Sequence, residues 1–100
     1  MPLGDVRDES GVTKNFELSQ NFPNPFNPST VIRFQLPTAA TVSLKIFDVL
    51  GREIQTLIEQ KLTAGNYSAS WDGKRFASGV YFCRLQAGDF VQTKKLLLLK

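Results

Sequence analysis

The sequence predicts an all-β protein, a one-domain β-sandwich of about seven short antiparallel strands. Three observations carry this expectation. From Phe16 onward apolar and polar residues alternate with period two, as in strands that bury one face. Glycine-centred turn signals separate the alternating stretches. The strand starts they bracket fall near residues 16, 30, 41, 53, 66, 80 and 90, a rhythm suited to a sandwich. One hundred residues supply a single core, with little chain left over to wall a deep cleft.

Residues 1–15 read as a linker or tag remnant. Met1 to Ser10 is polar, acidic at Asp5, Asp8 and Glu9, and has no apolar stretch of the ~7–15 residues a secretory signal needs. If the domain acts outside the cytoplasm, a segment upstream has to carry that signal. Residues 16–100 form the domain. After the first strand comes Asn21-Phe22-Pro23-Asn24-Pro25-Phe26-Asn27-Pro28, neither helix nor ladder strand, because its prolines lack amide donors. Two readings stand: a rigid loop whose Phe22 and Phe26 cap one end of the core, or a polyproline-type ligand for an aromatic groove.

The strands that follow alternate cleanly. Ile32, Phe34 and Leu36 share a face, as do Val42, Leu44 and Ile46. Leu50-Gly51-Arg52 then signals a tight hairpin. Residues 50–62 are ambiguous, since Leu50, Ile54, Leu57, Ile58 and Leu62 also fit a helical spacing. A strand is preferred, because β-like segments flank the stretch and Gly51 suits a hairpin. Tyr67, Ala69 and Trp71 face one way and serines the other, while Tyr81, Cys83 and Leu85 share a face in the next strand. Phe90 to Leu99 begins as alternation and ends as an aliphatic run.

Composition removes whole classes of function. With no histidine and one cysteine, Cys83, Ser-His and Cys-His nucleophiles, the usual zinc sites and an intramolecular disulfide are all excluded. The carboxylates available for acid–base work, Glu17, Asp48, Glu53, Glu59, Asp72 and Asp89, form no paired motif, and most fall in turns. No cofactor or metal is expected, and no catalysis. Cys83 reads as a small core residue. The longest aliphatic run, Leu96 to Leu99, is far below the ~20 residues of a spanning helix. The net charge of +3 sits entirely in the last eleven residues, as Lys94, Lys95 and Lys100, because nine bases and nine acids balance over residues 1–89. Without interleaved stacking aromatics this is no nucleic-acid footprint.

Several segments together resemble the type A C-terminal sorting domains of the type IX (Por) secretion system. The likeness opens with Gln20 through Pro28, including Asn21, Pro23, Asn24, Pro25, Phe26, Asn27 and Pro28. It continues through Phe47-Asp48-Val49-Leu50-Gly51-Arg52, Ala64-Gly65-Asn66-Tyr67, Trp71-Asp72-Gly73, Ser78-Gly79-Val80-Tyr81-Phe82 and Thr93-Lys94-Lys95 through Lys100. The resemblance implies an immunoglobulin-like sandwich related to a domain of flagellar hook-capping proteins. It also implies an export role: such domains direct an N-terminal passenger protein through the periplasm and an outer-membrane translocon to the surface-attachment machinery, or to release. Cys83, where the family often has an aromatic residue, and Leu96, where methionine is common, depart from the pattern without touching its signatures.

The residues themselves place recognition at the carboxyl end. Lys94, Lys95, Leu96, Leu97, Leu98, Leu99 and Lys100 combine charge with four leucines that cannot all face inward. An edge strand of this kind suits strand addition or capture in a groove. The rival reading is a carbohydrate-binding or adhesion module with Trp71, Tyr67 and Tyr81 as an aromatic platform. Against it, Tyr67 and Trp71 lie opposite the serines, on the side expected to be core.

Overall fold

Alternating side chains force a layered solution, since each strand must bury one face against a second sheet. The computed structural model describes residues 15–100 and contains seven strands: β1 (Glu17–Leu18), β2 (Ser29–Leu36), β3 (Ala40–Phe47), β4 (Glu53–Leu62), β5 (Gly65–Asp72), β6 (Gly79–Ala87) and β7 (Phe90–Leu98). All but Asn15 of the expected linker lies outside the described residues. One sheet has the order β1-β2-β5 and the other β4-β3-β6-β7. Every strand pairing is antiparallel. First, second and fifth strands against third, sixth and seventh is the immunoglobulin arrangement, with the fourth strand paired to the third rather than placed beside the fifth.

The core is the set of inward rows that the alternation implied. Ile32, Phe34 and Leu36 from β2 face Val42, Leu44 and Ile46 from β3 and Tyr81, Cys83 and Leu85 from β6, all buried. Trp71 is fully enclosed, at 0% exposure. Its ring packs against Phe26, Phe76 and Tyr81 at centroid separations of 5.3–5.6 Å. Its indole Nε1 donates to Gln55 Oε1 at 3.0 Å, which satisfies the one polar atom that burial would strand.

Residues 53–62 form a strand, and the helical spacing has a physical origin. In the β3–β4 ladder Ile46 pairs with Gln55 and Phe47 with Glu53, while Leu44 pairs with Ile58 and Lys45 with Thr56. Ile54 and Leu57 are therefore extra residues at two bulges. Each bulge resets the alternation by one, so apolar side chains recur at intervals that mimic a helical stripe.

The β3–β4 turn is built by Asp48. Its Oδ1 accepts from the backbone N–H groups of Leu50 and Arg52, and its Oδ2 from Arg52 Nε at 2.8 Å. Gly51 takes φ 82°, a conformation that costs other residues.

Two outcomes follow. Trp71→Ala removes the ring on which three others rest and should cost on the order of 3–5 kcal/mol. A circular-dichroism melt should fall by more than about 12 °C at ~4 °C per kcal/mol; a shift of a few degrees would contradict the packing. The backbone N–H of Arg52, helped by its guanidinium and by the N–H of Leu50, holds the Asp48 carboxyl below the ordinary aspartate value. A group depressed on folding stabilises above its unfolded value, about pH 3.9, and loses that contribution as pH falls through its folded value. Carboxyl NMR should therefore give Asp48 a midpoint below that of a free aspartate, with the turn intact at pH 4.

Candidate functional site

The last strand has two kinds of leucine. β7 pairs with β6 in regular register, Gly79 opposite Leu98 through Ala87 opposite Phe90. Leu96 and Leu98 point into the core and are buried, Leu97 is half-buried on the outer face and Leu99 is exposed. The four leucines divide two and two, as a strand demands. Lys95 is exposed and Lys94 half-buried.

The outer backbone edge of this strand is covered by the proline loop. Phe26 N–H donates to Leu97 O and Leu99 N–H to Phe26 O, both at 2.9 Å, forming a short parallel bridge between Phe26 and Leu98. Leu97 N–H donates to Asn24 Oδ1 at 2.9 Å, and Gln20 Nε2 to Lys95 O at 2.7 Å. The Phe26 side chain drops into the core against Trp71. Backbone and side chain of one residue thus tie the loop to both the edge and the interior.

The loop is held from beneath by a buried polar network. Asn21 Nδ2 donates to Thr30 Oγ1 at 2.9 Å and to Pro23 O at 3.1 Å, and Thr30 Oγ1 donates to Pro23 O at 2.8 Å. Asn21 and Thr30 are the buried polar residues of the core, and each is paired, as burial requires. The bonds preceding Pro23, Pro25 and Pro28 are cis, and Asn27 is exposed. Gly73 N–H donates to Pro28 O at 2.8 Å. A Cβ on Gly73 would meet Leu98 Cδ2 at 2.9 Å, so glycine here lets the β5–β6 connection approach the last strand. Asp72 Oδ1 accepts from Lys74 N–H at 2.9 Å, the expected Asx turn. Gly79 opens β6 opposite Leu98. Tyr81 donates its hydroxyl to Ala77 O at 2.6 Å.

Two expectations change. Phe22 does not cap the core: it is 71% exposed. Asn21 points inward to Thr30, so the next side chain turns out, and Phe22 spends its backbone on a bridge to Val31. The β7 edge is not open where the leucines lie, because the loop occupies it from Lys95 to Leu99. Lys100 is anchored at the end of the strand. Its Nζ donates to Lys74 O and Phe76 O at 2.7 Å each, and its N–H to Ser78 Oγ. Gln20 and Ser78 fall inside the family-like segments and Thr30 just after one, but the contacts they make were not legible in the sequence. Each acts across a large sequence separation or through an unremarkable hydroxyl, so no local pattern marks them.

The platform of the rival reading is not displayed on the surface. The aromatic platform is interior: Trp71 and Tyr81 are buried, and Tyr67 stacks on Phe34 at 5.4 Å. Cys83 is buried and its thiol is pushed up to about 12 by desolvation, an unreactive state near neutral pH. Glu53 pairs with Lys45 at 3.2 Å and accepts from Thr56, and Glu17 accepts from Gln35. Among the described residues no group of three His, Cys, Asp or Glu could hold a metal, and no helix is long and apolar enough to cross a membrane.

Comparison with known proteins places this arrangement. A family model described as the secretion system C-terminal sorting domain matches residues 20–99. Among curated proteins none matches the chain. A solved structure, from work on PorZ, "an essential bacterial surface component of the type-IX secretion system" of Porphyromonas gingivalis, superposes with a TM-score of 0.57 and 20% identity. The match covers 85% of this chain and only 11% of that one, a likeness of fold. The family match runs without a break from Gln20, through the loop and the Trp71 turn, to Leu99, and on that evidence the chain belongs to the secretion system C-terminal sorting domain family, the sorting signals of type IX secretion.

Proposed function

We propose that the export machinery reads the side chains of residues 94–100, displayed on a strand whose backbone edge the proline loop has closed. The domain in this reading is a non-catalytic signal. It carries an N-terminal passenger through the periplasm to an outer-membrane translocon, and the passenger is then attached at the surface or released. One observation carries it: Phe26 and Asn24 occupy the edge groups of Leu97 and Leu99. A closed edge cannot accept a partner strand there, so a partner meets side chains: Lys95, Leu97 and Leu99 outward, with Lys94 partly exposed. Closing the edge also protects an apolar strand from pairing with other chains.

The test is export of a passenger fused to residues 16–100 in a type IX-competent bacterium. Deleting residues 94–100 is a poor probe, because it removes the buried Leu96 and Leu98 and with them part of the core. Lys94→Gln with Lys95→Gln leaves that packing intact and should change stability by no more than ~0.5 kcal/mol. The expected result is a normal melt with export reduced several-fold and passenger retained in the periplasm. Normal export of this folded variant would move recognition off the two lysines. Lys100→Gln should behave differently. Losing its two carbonyl contacts should cost on the order of 1 kcal/mol, read as a lower melting temperature for the isolated domain.

A further inference from the structure

The two outer faces of the sandwich are unlike each other. On the three-stranded sheet Arg33, Ser68 and Ser70 are exposed and polar. On the four-stranded sheet the outward row runs Phe47, Phe82 and Lys95 across β3, β6 and β7, with Val80 and Leu97 beside it. The β3–β4 tip adds Val49 at 66% and Leu50 at 73% exposure.

This tip is no slack loop. Asp48 fixes it with two backbone hydrogen bonds and an ion pair to Arg52, and Gly51 N–H and Asp48 O close the turn at 3.0 Å. Apolar side chains on a pre-organised turn lose little conformational freedom when a partner covers them. Hollows lie on both sides of Val49. One, of about 240 Å³, is lined by Phe47, Asp48, Phe82, Arg84 and Thr93. The other, of about 450 Å³, is lined by Asp48, Leu50, Arg52, Ser78, Val80 and Tyr81.

The charges around the hollows are unbalanced. Lys45 is paired with Glu53 and Arg52 with Asp48. Arg84 stacks its guanidinium 4.4 Å from the Phe47 ring centre, and Lys95 sits on the same face. Glu53, paired with Phe47 across the ladder, also feels the charge of Arg84. Neither Arg84 nor Lys95, however, lies within ion-pair distance of a carboxylate among the described residues, and Lys45, Arg52, Arg84 and Lys95 outnumber Asp48 and Glu53. The concave, aromatic-walled surface suits an extended chain better than a flat bilayer.

We infer that the face formed by the Val49–Leu50 tip, Phe47, Phe82, Arg84 and Lys95 is a docking surface for an extended acidic protein segment in which carboxylates alternate with apolar side chains. The apolar groups of that segment fill the hollows beside Val49, and its carboxylates meet Arg84 and Lys95. This surface is independent of the residue 94–100 reading except for Lys95, and its test requires no export.

The ¹⁵N-labelled chain would be titrated with an acetylated, amidated heptapeptide alternating leucine with aspartate. A leucine–lysine heptapeptide and phosphatidylglycerol vesicles serve as the other arms. Saturable shifts are expected at the amides of Phe47–Gly51, Phe82, Arg84 and Lys95, with none at Arg33, Ser68 or Ser70. Leu50→Ser, and separately Arg84→Gln with Lys95→Gln, should each weaken binding at least fivefold in a chain whose spectrum stays dispersed. Absence of face-specific shifts at millimolar peptide overturns the inference, as does equal binding of the lysine peptide. Vesicles that perturb the tip where the acidic peptide does not would assign the face to a membrane instead.

Discussion

The structure depends on the way Phe26 joins three things at once. Its backbone closes the edge of β7, its ring rests on Trp71, and the loop that carries it is pinned by Asn21 and Thr30. A sandwich from a chain of 100 residues has little apolar area to spare, and its last strand is apolar enough to be a hazard if left open. One loop crossing from the first sheet to the edge of the second addresses both problems. It adds a large ring to the core and removes the edge from competition.

This constraint explains why three segments, two of them among those that resemble the sorting family, lie far apart in sequence yet together in space. The proline loop meets β7 more than seventy positions later. The Trp71-Asp72-Gly73 turn brings its glycine amide to Pro28 O and its Cα beside Leu98. Ser78 and the carbonyls of Lys74 and Phe76 receive Lys100. The segments are three supports of one strand, and a change in any of them is felt at the carboxyl end.

Most of the fold was legible because burial imposes a period that sequence preserves. Ile32, Phe34 and Leu36, or Val42, Leu44 and Ile46, fall on one face for the same reason that they alternate. Where a local rule was interrupted, legibility failed. Two bulges in β4 disguised a strand as a helical stripe, since nothing in Ile54 or Leu57 announces an unpaired residue. Phe22 and Phe26 looked equivalent, and only the inward commitment of Asn21 separates them. The clasp on β7 was invisible for a different reason. Hydrogen bonds from backbone groups carry no residue signature, and of the two side chains involved Asn24 reads locally as a turn former and Gln20 as an ordinary polar residue. The leucine pattern of the tail could say that two side chains face out, but not that the edge beside them is closed.

Closing the edge changes what kind of recognition the domain can offer. Strand addition reads backbone and tolerates many sequences, whereas a closed edge leaves only shape and side-chain chemistry to discriminate partners. Side-chain recognition needs rigid presentation, because every rotamer and backbone angle fixed beforehand is one the complex does not have to fix. The molecule meets that need twice. At the tail, clasped backbone holds Lys95, Leu97 and Leu99 in register; at the β3–β4 tip, Asp48 holds Val49 and Leu50 outward. Both displays sit on the four-stranded sheet, while the serine-bearing face opposite carries the exposed Phe22 beside the half-buried Val31 at its margin. The chain enters the sandwich through β1 of the other sheet, and β1 in turn rests against β7, where Leu18 N–H donates to Gln92 Oε1, so the strand that carries the tail is braced both by the entering chain and by the proline loop.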